Sequence, residues 1–163
     1  SQMNAGAKVA TGQILWFLHA DTRIPAHAIR SINDAIDSGR PWGRFDVSLS
    51  GPSWAFRMIE SMMNLRSCLT GVATGDQGIF VTRAAFEVVG GFPGIALMED
   101  IALSKALRNH ARPRCIRTPR LITSSRRWEQ HGIVRTVLLM WWLRLRFALG
   151  DDPRRLARLY SSG

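Results

Sequence analysis

Two periods of apolar and polar positions run along this chain. Ile14-Leu15-Trp16-Phe17-Leu18 is an unbroken apolar run, and polar His19-Ala20-Asp21-Thr22 follows it. A short continuous run of this kind predicts a strand buried on both faces, typical of a parallel sheet. Phe45, Val47 and Leu49 instead alternate with Asp46, Ser48 and Ser50, which predicts a half-buried strand. Ile79-Phe80-Val81 and residues 114–123 read as two more strands.

The segments between them follow a helical period. Residues 2–11 are Ala-rich and stop at Gly12, a natural C-cap. From Pro25 the positions Ala28, Ile29, Ile32, Ala35 and Ile36 share one helical face, and Gly39 ends it. Pro52 opens a helix rich in Trp54, Phe56, Met58, Ile59, Met62, Met63 and Leu65. Helices are also predicted over 83–89, from Glu99 to Asn109, over 132–149, and from near Pro153. Strands alternating with helices predict an α/β fold, and 163 residues suit one domain.

Composition sharpens this picture at two points. The chain carries 22 basic and 12 acidic side chains, but the excess is not spread evenly. Residues 1–100 hold 8 basic and 9 acidic groups, a net of −1, and residues 101–163 hold 14 and 3, a net of +11. That asymmetry predicts an anionic partner at one end: phosphate, nucleic acid or an anionic membrane surface. A solvated Arg-rich face is the plainer alternative. The 132–149 segment is no transmembrane span, because its longest uncharged stretch, Thr136–Leu143, has eight residues where about 20 are needed. Trp141, Trp142 and Phe147 beside Arg144 and Arg146 suit a membrane interface, and equally a packed helix with snorkelling arginines.

The two cysteines, Cys68 and Cys115, are far apart and form no CxxC. This spacing rules out a disulfide framework and a Cys-rich zinc site, and makes a reducing compartment the default. The start, Ser1-Gln2-Met3-Asn4-Ala5-Gly6, has no basic region followed by an apolar run, so no signal peptide is expected there. It reads like the interior of a longer chain.

Four polar clusters carry candidate chemistry. Asp21 lies just beyond a predicted strand, where a carboxylate can hold a hard divalent cation together with phosphate oxygens. Glu99-Asp100 opens a helix, where one carboxylate can act as a general base or merely cap. Gly75-Asp76-Gln77-Gly78 is a turn that can bring backbone close to a ligand. Arg126-Arg127-Trp128, with His131 nearby, can clamp a diphosphate, and the histidine can ligate a metal or be structural.

In this order the segments resemble a family 2 glycosyltransferase of the GT-A fold. Leu15-Trp16-Phe17-Leu18-His19-Ala20-Asp21-Thr22 looks like the approach to that family's DxD motif, with His19 in place of the first Asp and Asp21 matching the metal-ligand Asp. Phe92-Pro93 and Met98-Glu99-Asp100 resemble the acceptor-side ED motif. Arg126-Arg127-Trp128 and Leu156-Ala157-Arg158-Leu159-Tyr160 resemble the subgroup of transferases associated with radical-SAM and selenium-domain proteins.

The resemblance implies a metal-dependent, inverting transfer of a sugar from a nucleoside-diphosphate sugar to an acceptor hydroxyl. Asp100 would be the base with Glu99 supporting it, and Asp21 and His131 would be metal ligands for Mn²⁺ or Mg²⁺. Arg126, Arg127, Gly75, Asp76 and Gln77 would face the donor. It also implies that the N-terminal nucleotide-binding half precedes this chain, leaving 1–163 as a partial domain with basic and apolar C-terminal helices over 132–163. Activity would then be impaired, and an open sheet edge would favour a homodimer. The acceptor stays unnamed. The expected location is cytoplasmic, with peripheral docking on the inner membrane face if the 132–149 helix lies at an interface. The competing reading is a non-catalytic basic module that binds anions or a membrane surface. Nucleic acid is disfavoured, because no RNP, KH or zinc-finger signature is present.

Overall fold

The computed structural model describes residues 2–161. In chain order the elements are α1 (Gln2–Val9), β1 (Ile14–Trp16), α2 (Ala28–Asp37), β2 (Trp42–Leu49), α3 (Trp54–Thr70), a 3-10 turn (Gly75–Gln77), β3 (Phe80–Thr82), α4 (Arg83–Val88), α5 (Glu99–His110), β4 (Arg114–Thr123), α6 (Arg126–His131), α7 (Ile133–Ala148) and α8 (Pro153–Ser161). The protein is mixed α/β with a four-stranded sheet in the order β1-β3-β2-β4. Each predicted strand and helix has a counterpart, and α6 is the helix that periodicity missed.

The sheet corrects the reading of the strands. β1 is an edge strand, antiparallel to β3, with Leu15 buried and Ile14 and Trp16 only half-buried. β2, expected to be half-buried, is the one buried on both faces. It pairs antiparallel with β3 at Trp42 and Gly43, and parallel with β4 from Gly43 to Leu49.

The physical reason lies in α3. β3 covers only the first residues of β2, so the backbone beyond Gly43 would face α3 unpaired. Side chains of α3 replace the missing strand. Asn64 accepts from Val47 N–H at 2.9 Å and donates to Val47 C=O at 3.0 Å. Glu60 accepts from Leu49 N–H at 2.5 Å. Arg44, only 1% exposed, is ion-paired with Asp46 and donates to the Asn64 carbonyl at 2.7 Å. Arg44 and Asp46, on the polar side of the pattern, are thus buried against polar partners, as buried polar groups require. Burial lowers the Arg44 pKa, and Asp46 opposes that shift by holding the cation.

Gly43 sits where three strands meet. A Cβ there would overlap the Arg114 carbonyl and the Phe80 ring, so only glycine lets β2 approach both neighbours. Hydrophobic clusters cover both sheet faces. One gathers Leu15, Trp42, Val81, Phe86, Leu103 and Leu107, and the other Ala28, Ile32, Phe45, Val47, Phe80 and Ile116.

The cysteines also need correcting: Cys68 of α3 and Cys115 of β4 form a disulfide, with Cα atoms 5.9 Å apart. Their separation of 47 residues hid the pairing, because the helix and strand that bring them together are distant in sequence. The described residues form two compact units. One runs to Pro93 and from Asp100 to Ser124, and the other comprises Gly94–Glu99 and the chain from Ser125. Among the described residues, no helix is long and apolar enough to cross a membrane.

Candidate active site

Antiparallel pairing of β1 with β3 determines what the polar tail of the first apolar run meets. Residues beyond Trp16 must run back along those preceding Phe80. Phe17 N–H donates to Ile79 C=O at 2.9 Å, and the Trp16 indole donates to Gly78 C=O at 3.2 Å. His19 arrives beside Gly75 so closely that a Cβ at position 75 would overlap its Nε2. The chain then turns through Thr22 N–H to His19 C=O at 3.1 Å, leaving Asp21 exposed at the tip.

The other side of the Gly75 loop is held by α5. Gly75 N–H donates to Asp100 Oδ2 at 2.7 Å, and Asp100 Oδ1 accepts from Ile101 N–H at 2.7 Å. One turn further on, Ser104 Oγ accepts from Ala73 N–H at 3.2 Å and donates to Ala73 C=O at 3.3 Å. Asp100 and Ser104 share a helical face, four residues apart, and together they pin residues 73–75. The carboxylate of Asp100 is therefore held in one orientation at a partly exposed position.

Three of the four polar clusters thus meet around one loop: His19–Thr22, Gly75–Gly78 and Asp100. Gln77 is turned inward. It is fully buried, donating to Ser67 Oγ at 2.8 Å and accepting from Thr74 N–H at 3.2 Å, so it shapes the loop from inside. Asp76 is half-buried on the same turn. Glu99 is the first residue of α5, and Met98 before it is buried with φ of 66°. A non-glycine residue with positive φ stores strain, and such strain clusters at functional sites.

Arg126, exposed, and His131, also exposed, lie on α6 in the second unit. The Arg127 side chain lies outside the described residues.

The donor set bears on the expected cation. Among the described residues, no group of three or more His, Cys, Asp or Glu side chains could hold a metal ion. Asp21 offers one carboxylate, and the neighbouring Thr22 Oγ1 is buried without a hydrogen-bond partner. One carboxylate fits Mg²⁺ or Mn²⁺ arriving with a substrate's phosphates, and does not fit a resident ion caged by protein.

Sequence reasoning missed Ser104, Thr74 and Ser67, which build the loop from behind. The spacing of Asp100 and Ser104 was the available signal. No protein-family model matches this chain, and no curated protein matches it.

Proposed function

We propose that this chain carries the acceptor and metal side of a GT-A glycosyltransferase. It moves a sugar from a nucleoside-diphosphate sugar to an acceptor hydroxyl with inversion. The observation that supports this reading is the meeting of His19, Gly75 and Asp100 from three distant segments, joined by the 2.7 Å bond from Gly75 N–H to Asp100.

In this reading the acceptor oxygen attacks the anomeric carbon while the bond to the diphosphate oxygen breaks. Asp100 takes the acceptor's proton, and its fixed orientation keeps the accepting oxygen aligned. Glu99, next to it at the start of α5, supports the site electrostatically. Asp21 would hold Mn²⁺ or Mg²⁺ brought in with the donor, and the ion would supply positive charge for the diphosphate leaving group. With no Cβ at position 75, the loop can lie against His19.

The test is release of nucleoside diphosphate from a panel of nucleoside-diphosphate sugars, with acceptor present. Asp100→Asn keeps one oxygen to accept from Gly75 N–H and gives up the one that accepts from Ile101 N–H, so circular dichroism first checks that the variant keeps its fold. The rate should fall roughly 10²- to 10⁴-fold. A variant as fast as the parent removes Asp100 from the role of base.

A further inference from the structure

We infer that α7 lies flat on an anionic membrane surface, with its outer apolar face in the headgroup boundary. This rests on α7 and the charge of the chain from residue 125, and is independent of the sugar-transfer reading.

A helix packed on a protein core normally turns its polar face to water. α7 does not. Thr136 and Leu143 are buried on its inner face. On the outside, Val134, Leu138, Trp141, Trp142, Leu145 and Leu149 recur at helical spacing and are all exposed, Leu138 at 62% and Trp141 at 59%. Both faces of this helix are therefore apolar. Its charges are confined to the seams: Arg135 and Arg146 follow one edge of the outer stripe and Arg144 the other. Arg146 lies over the Trp142 ring at 5.5 Å from its centroid and is ion-paired with Asp151 at 2.5 Å.

Charge selects the occupant. α7 contains three arginines and no acidic residue. Residues 125–163 hold 8 basic and 3 acidic side chains, a net of +5, with Arg154 and Arg155 of α8 exposed. A nucleic acid would engage the arginines and leave the apolar stripe in water. An anionic bilayer satisfies both at once, taking the stripe into the acyl boundary and the arginines to its headgroups. Tryptophan suits this boundary, having an apolar body and a polar N–H. At 16 residues the helix is roughly 24 Å long, so it lies in the interface and does not span it.

Co-sedimentation of the full chain with vesicles tests this. Vesicles of phosphatidylcholine and phosphatidylglycerol should carry the protein down at low salt, and added salt should release part of it. Phosphatidylcholine alone should carry little. Leu138→Asp with Leu145→Asp, both at exposed positions, should weaken binding about tenfold or more. Arg135→Gln should weaken it roughly fivefold. Leu65→Asp, at an exposed apolar position of α3 in the other unit, should leave it unchanged. Circular dichroism checks that each variant keeps its fold. Absence of binding to the anionic vesicles overturns the inference, as does equal binding to neutral ones. It is also overturned if Leu65→Asp matches the α7 variant, or if that variant instead converts a dimer to a monomer.

Discussion

β1 and β2 exchange the environments that their hydrophobic patterns predict. β1 has the purest apolar run, yet it is an edge strand with two of its three residues half-buried. β2 alternates apolar and charged residues, yet all but Ser48 are buried. Alternation reports a solvated face only when water is what meets the polar side. Here α3 meets it, with Glu60 and Asn64 standing in for backbone that a fifth strand would have provided. The unbroken run of β1 has a complementary cause, because Trp16 and Phe17 pack sideways with Phe45, Phe86 and Phe92.

The largest break in this comparison should come from the ion pair behind β2. Arg44→Met leaves the Asp46 carboxylate buried without its cation, and urea unfolding should show a loss of about 3–5 kcal/mol. Combining it with Asp46→Leu should restore most of that loss, because the uncompensated charge goes too. A double variant as unstable as the single one would place the cost elsewhere.

Next is the cross-link from α3 to β4. Replacing Cys68 and Cys115 by serine should cost about 2–4 kcal/mol, since a bond spanning many residues restrains the unfolded chain. Thermal unfolding in oxidising and reducing buffers should show the same gap in the parent protein and none in the variant.

Gly43→Ala should cost about 1–3 kcal/mol, because the Arg114 carbonyl it would strike belongs to the sheet itself. Ile14→Thr at the edge should cost about 1 kcal/mol or less. If Ile14→Thr proved as damaging as Gly43→Ala, the ranking of β1 below β2 would be wrong.

Much of the fold was legible because most elements carry clean punctuation. Gly12, Pro25, Gly39, Pro52 and Gly90-Gly91 mark ends that the structure respects within a few residues. Strand direction and burial were not legible, since both depend on which distant segments pair. The disulfide failed for the same reason. For the site, the sequence singled out His19–Thr22, Gly75–Gly78 and Asp100 separately, and their meeting comes from the antiparallel β1–β3 pair and from α5. The burial of Gln77 was not legible because a polar residue between two glycines looks solvent-facing, whereas Ser67 and Thr74 give it buried partners. α6 escaped notice because its six residues are too few to show a period.

The most direct test of the site is calorimetric titration of uridine diphosphate into the chain, with and without Mn²⁺, for the parent and for Asp21→Asn. Mn²⁺ should strengthen binding to the parent, and Asp21→Asn should abolish the gain. Binding that is indifferent to Mn²⁺, or equally Mn²⁺-dependent in the variant, would contradict the role given to Asp21.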